Sequence, residues 1–139
     1  MPQVSYRVRE SLWVTVPITL EAFCNQLVDV LQLPTFNFDC ENLWEWGLTK
    51  IERGYLEVNI ARKHNKGEPL LKEPFHILLL VENTAPASYD SEWVIRNLVP
   101  VYGQAIANLT SQPTYHGKVD YLGDNDFSYY PSVKFEPQI

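Results

Sequence analysis

Cysteine is scarce in this chain, with only Cys24 and Cys40 in 139 residues. Two thiols make no disulfide framework, so the expectation is free thiols in a cytoplasmic protein. Glycine is thin and scattered, and no two of the six glycines lie within five residues of each other. A phosphate-cradling loop or a dinucleotide fingerprint needs clustered glycines whose backbone can approach the phosphates, so both are excluded in standard form. Long apolar runs are missing too. The longest, Ile77–Val81, falls far short of the roughly 20 residues of a membrane helix, so no membrane partner is expected. Basic residues are outnumbered, 11 against 17 acids, for a net charge of −6. The whole chain is a poor electrostatic match for nucleic acid or anionic lipid. The opening residues Met1 to Arg7 hold no apolar stretch of a secretory signal, which agrees with the cytoplasmic expectation.

What is present is apolar and aromatic side chain, 45% and 13% of the residues. That is enough for a self-sufficient core, and the length suits one domain spanning residues 1–139. Alternation in Val4, Tyr6, Val8 and in Leu12, Val14, Val16 predicts strands over 4–9 and 12–17, or one long strand with an irregularity near Glu10-Ser11. Thr19 is placed to cap a helix carrying Leu20, Phe23, Cys24, Leu27 and Leu31, which Pro34 ends. Leu43–Ile51 and Tyr55–Lys63 read as a hairpin around Glu52-Arg53-Gly54, with glycine where a left-handed residue is needed. Phe75–Val81 reads as a central strand covered on both faces. Asp90 caps a second helix with Trp93, Leu98, Tyr102, Ala105, Ile106 and Leu109 as its apolar stripe. Pro100 predicts a kink there, or a break near Val99. Lys118–Leu122 is a short strand, and 123–139 an edge strand near Ser132–Phe135 or coil. The expected fold is α+β: a mainly antiparallel sheet with two principal helices packed on one face.

Motifs for chemistry are wanting. There is no Cys-x-x-Cys and no histidine pair three or four apart, so neither a metal nor any other cofactor is expected. Asp124-Asn125-Asp126 begins like a calcium loop, but Tyr129 and Phe135 stand where glycine and a bidentate glutamate are required. No Gly-x-Ser-x-Gly elbow occurs. Cys24 lies on a helix's apolar stripe, and Asp39 and Glu41 flank Cys40, whose thiolate their charges disfavour. His76 sits in the most apolar strand, where a hydrogen-bonded core role is the ordinary one. Paired carboxylates such as Glu45 with Glu57 could face each other across strands, if the register allowed it. No catalytic residue is assigned.

Charge is segregated. Glu10 through Thr49 holds six acids and no base, and Lys50 through Lys72 holds six bases against three acids. Solvated faces account for most of this. Tyr55 near Arg53 and the run Arg62–Lys66 suit nucleic acid only weakly. Aromatics and acids are interleaved twice. One set is Phe36, Phe38, Trp44 and Trp46 with Asp39, Glu41 and Glu45. The other is Tyr121, Phe127, Tyr129 and Tyr130 with Asp120, Asp124 and Asp126. Core packing is the ordinary role of such rings. Exposed, they would form a hot spot with a charged rim. The expected interaction patch is Asp39, Glu41, Trp44, Glu45, Asp120, Tyr121, Asp124, Asp126 and Tyr129. The expected function is a non-catalytic protein–protein interaction domain, such as an acidic inhibitor or immunity-type protein with a basic partner. The alternatives are a small-ligand binder or enzyme whose site is assembled from separate elements, and a homodimer joined through its own aromatic patch.

Overall fold

The structure is a computed structural model that describes residues 5–41, 43–65, 68–123 and 126–138. Its elements run β1 (Tyr6–Val14), α1 (Leu20–Leu31), β2 (Asn37–Cys40), β3 (Trp44–Ile51), β4 (Leu56–Asn65), β5 (Glu68–Pro69), β6 (Phe75–Glu82), α2 (Ser91–Thr110), β7 (Thr114–Gly123) and β8 (Asp126–Phe135). The strands form one antiparallel sheet in the order β2-β3-β4-β6-β1-β7-β8, with β5 paired to β4. The fold is α+β with a mainly antiparallel sheet, as its sequence predicts. The apolar strand β6 lies at its centre.

Alternation along each strand divides the sheet into two faces. Leu12 and Val14 of β1, Leu56, Val58 and Ile60 of β4, and Phe75, Ile77, Leu79 and Val81 of β6 belong to one buried cluster with residues of both helices. α1 lies against β3 and β4, and α2 against β1, β7 and β8. Phe23 of α1 stacks on Phe75 with ring centroids 4.5 Å apart. A fully buried side chain of this kind stabilises the fold by about 1.5–3 kcal/mol.

The helix ends follow the sequence signals. Thr19 Oγ1 accepts a hydrogen bond from the Ala22 N–H at 3.2 Å. Gln32 then turns left-handed with φ 56°, two residues before Pro34. Asp90 accepts from the Trp93 N–H at 3.2 Å. α2 runs as one helix through Pro100, so the expected break is absent. Its buried stripe is Ile95, Val99, Tyr102 and Ile106, spaced four, three and four apart. Trp93, expected in that stripe, is 59% exposed.

Two further expectations are corrected. Of the two readings of the first segment, one long strand holds, Tyr6–Val14, but its pairing slips between Tyr6 and Val8 rather than near Glu10, and Val4 lies outside the described residues. The coil or short edge strand expected after Gly123 is the ten-residue β8, which pairs with all of β7.

One charge lies inside the apolar face. Arg62 is fully buried, its guanidinium 4.1 Å from the Phe75 ring centroid. It donates to the Ile18 carbonyl at 2.7 Å and to Glu45 at 3.2 Å. Burial works against this charge and Glu45 restores part of it. The basic run Arg62–Lys66 therefore begins in the core, with Arg62 and His64 buried, and Lys66 lies outside the described residues.

Candidate functional site

Among the described residues no helix covers the opposite face. A single rank crosses it from β2 to β7: Asp39 beside Trp46, then Ala61, His76, Trp13 and Tyr115. Rings dominate this rank because these positions have the opposite parity to the aliphatic ones.

What covers the face is the chain's own hairpin. β1 pairs with β7 only where Ser11, Leu12 and Trp13 meet Gly117, His116 and Tyr115. β7 continues to Gly123, paired only with β8. The two strands part at Gly117, where the β7–β8 ladder also shifts register. A Cβ on Gly117 would overlap the Tyr130 carbonyl oxygen and lie 2.9 Å from Pro131 Cα. Only glycine lets the β8 backbone approach so closely. The freed hairpin lies across the rings. Phe127 meets Trp44 at 5.4 Å and His76 at 5.1 Å, and Tyr129 meets Trp13 and His76 at 5.2 Å each. Tyr121 joins through Phe127 at 5.4 Å, and Tyr115 through Trp13 at 5.9 Å.

Between sheet and hairpin is a cleft of about 480 Å³. Ser11, Ala61 and Leu78 form its floor, Trp44, His76, Val119, Tyr121 and Phe127 its walls, and Arg9 and Asp120 bring charge to it. Small residues on the floor leave the room that the rings enclose. Its volume falls within the range of small-molecule pockets.

His76 and Tyr129, beside the cleft, are held neutral. His76 is buried and shares a hydrogen bond between Nε2 and the Tyr129 hydroxyl. Burial first, then the Lys63 charge, lowers its pKa to about 4. Burial and Glu73 push Tyr129 up to about 12. Neither group exchanges a proton readily near neutral pH. The cleft offers flat apolar walls, a hydroxyl, a guanidinium and a carboxylate, which is equipment for binding.

Of the expected patch, the structure brings Trp44, Tyr121 and Tyr129 together here through Phe127 and His76, while Asp120 borders the cleft with its carboxylate paired to Lys118 at 3.5 Å. Asp39 is exposed on edge strand β2, its carboxylate accepting from the Cys40 N–H at 2.8 Å. Glu41 is exposed in the β2–β3 turn, where its carbonyl meets the His64 ring. Glu45 turns to the helix-covered face and holds Arg62. The first acidic–aromatic cluster is thus divided between the faces. Glu45 and Glu57 do not pair: their partners across the β3–β4 ladder are Arg62 and Lys50. Asp124 lies outside the described residues, and Asp126 is placed only by its backbone pairing with Gly123. Among the described residues no group of histidine, cysteine and carboxylate could hold a metal ion, and no helix is long and apolar enough to cross a membrane.

Trp13, Tyr115, Arg9, Ser11 and Ala61 were missing from the expected patch. Parity carried a usable signal for three of them. Arg9, Ser11 and Trp13 alternate against Leu12 and Val14, so they had to lie on the other face. Set against models of protein families, curated proteins and solved structures, the chain matches none.

Proposed function

We propose that this chain is a non-catalytic binding protein that grips a protein partner with the β7–β8 hairpin and the ring-lined cleft beneath it. One observation carries the reading: rings from four strands line a cleft beneath a hairpin that itself exposes large apolar side chains. Tyr121, Leu122 and Tyr130 of the hairpin are 63%, 62% and 53% exposed. An aromatic lip beside a preformed cleft suits a hot spot, where one anchoring side chain of the partner enters and the rim excludes water. The net charge of −6 and Asp120 on the rim favour a basic partner, through rate and specificity more than affinity. An acidic inhibitor of the antitoxin or immunity type is the role that fits. The neutral His76–Tyr129 pair supports binding over proton transfer.

The cleft's volume favours one second reading, a small flat organic molecule in the same place. Ala61→Trp fills the floor and Tyr121→Ser strips the lip, and comparing them with the unmodified chain separates the readings. A protein partner retained at physiological salt should be lost with either variant. Native mass spectrometry should show a bound small molecule if the second reading holds, lost with Ala61→Trp but tolerant of Tyr121→Ser. Retention of the same proteins by all three chains would refute the proposed surface.

A further inference from the structure

The two ends of the ring-lined cleft differ in chemistry. Along a strand, neighbours on one face are about 7 Å apart. His76 and Ala61 stand in one rank across the sheet, Leu78 and Ser11 in the next, and Leu80 and Arg9 in the one after. Trp44, His76 and Phe127 line one end of the cleft, and their ring planes meet at 63°, 78° and 90°. Ser11 and Arg9 line the other.

The charges around the cleft differ in what they already do. Asp120, the acid that lines it, is matched by Lys118 at 3.5 Å. Glu57 and Glu82, the acids of β4 and β6, line a separate recess with Lys50. Arg9 donates no hydrogen bond and enters no ion pair among the described residues. Lys63 adds charge of the same sign, near enough to act on His76. The cleft therefore offers flat apolar walls at one end and an uncommitted guanidinium at the other.

We propose that this cleft holds the C-terminal residue of the protein partner, an aromatic one, with its ring against Trp44, His76 and Phe127 and its terminal carboxylate on Arg9. A guanidinium fork matches a carboxylate's two oxygens, and a terminal amide forfeits that charge-assisted pair. Edge-to-face and offset contacts with the lining rings favour an aromatic anchor over an aliphatic one. A chain end carries a carboxylate beside its last side chain however basic the rest of the partner is, so this anchor agrees with a basic body drawn by the net charge of −6. The assignment rests on the partner surface proposed above and names what enters it.

The test titrates the isotope-labelled full chain with the peptide acetyl-Lys-Gly-Gly-Phe, as free acid and as C-terminal amide, and with 3-phenylpropionate, followed by amide chemical shifts. The peptide acid should produce saturable shifts at Ser11, Ala61 and Leu78, and the amide should bind at least about tenfold more weakly. Arg9→Gln, at an exposed position, should weaken the acid by about tenfold and leave the amide unchanged. Ala61→Trp should abolish binding of both. Equal binding of acid and amide would overturn the chain end as the anchor. So would 3-phenylpropionate binding as tightly as the peptide acid or more tightly, which would give the cleft to a free aromatic acid. An absence of saturable shifts up to millimolar peptide would overturn it too. Each of these failures leaves the retention experiment with Ala61→Trp and Tyr121→Ser to report separately on the partner surface.

Discussion

On the helix-covered face Leu12, Ile60, Ile77 and Leu79 meet α1 and α2 and are sealed from solvent. On the opposite face Trp44 and His76 meet Phe127 of a two-stranded hairpin, and Trp13 and His76 meet its Tyr129. The first face is closed by two helices that leave Leu12, Ile60 and Leu79 with no exposed surface, although a cleft opens between β1, β8 and α2. The second is closed by a hairpin held to β1 through only three residue pairs, and a hairpin alone is marginally stable. Opening is cheapest where the fewest contacts must break. The ring-lined face is therefore the more easily opened, and the aliphatic face is the one that maintains the fold.

The largest effect belongs to Arg62, the fully buried member of the ion pair on the sealed face. Arg62→Ala removes a fully buried side chain and strands both the Ile18 carbonyl and the Glu45 carboxylate. The expected loss is about 3–5 kcal/mol in urea denaturation. The double variant Arg62→Met with Glu45→Leu removes both charges and should recover most of that loss, since apolar replacement of a buried pair is often neutral. A small loss for Arg62→Ala would mean that water reaches this face, and the contrast between the faces would fail.

The ring face should be the pH-sensitive one. Unfolded, His76 takes up a proton near pH 6.5, and folded it does so only at about 4. Between these values the unfolded chain binds more protons, so stability falls as pH drops from 6.5 to 4. Below the lower value this group costs nothing further. The full span corresponds to about 3 kcal/mol. Urea midpoints across the window, for the chain and for His76→Gln, isolate the share of this group from that of the carboxylates. Parallel curves would show that the hairpin does not bury His76.

Gly117→Ala tests how the hairpin is held. The added methyl meets β8 backbone rather than a movable side chain, so the expected cost is about 2 kcal/mol, with altered tryptophan fluorescence from Trp13 and Trp44. Gly103→Ala, whose methyl would overlap the Phe135 ring, should cost less. That ring can shift, and alanine favours a helix by about 1 kcal/mol over glycine. Equal costs would remove Gly117 as the point where the two faces are made different.

Much of the sealed face was legible in the sequence. The alternation of Leu56, Val58 and Ile60, the apolar run of β6 and the caps Thr19 and Asp90 each act over a few residues, so sequence reveals them. The ring face was legible only in pieces. Trp44 and Glu45 are adjacent in a strand and must face opposite ways, which alone forbids the expected acidic–aromatic patch on β3. The meeting of Trp44 with Phe127 was hidden, because it depends on the departure of β7 from β1 at Gly117. Nothing local marks that event, and Pro131 makes β8 read as coil.

The smallest effect on stability gives the sharpest probe of the contrast, because the two cysteines differ in burial as the faces do. Cys24 lies on α1 with no exposed surface, and burial, helped by Glu45, pushes its thiol up to about 12. Cys40 is exposed on edge strand β2. At pH near 8 a thiol reagent should modify Cys40 within seconds to minutes and leave Cys24 untouched until the chain opens, since the thiolate is the reacting species. Cys40→Ser should abolish the fast phase and change stability by less than about 0.5 kcal/mol. With Cys40 gone, the remaining phase times the opening of α1 from the sheet. If hairpin variants such as Gly117→Ala leave that phase unchanged while opening the ring face, the two faces open independently. If the phase quickens in proportion to the lost stability, they open as one unit, and admission of a partner to the ring face must strain the aliphatic core as well.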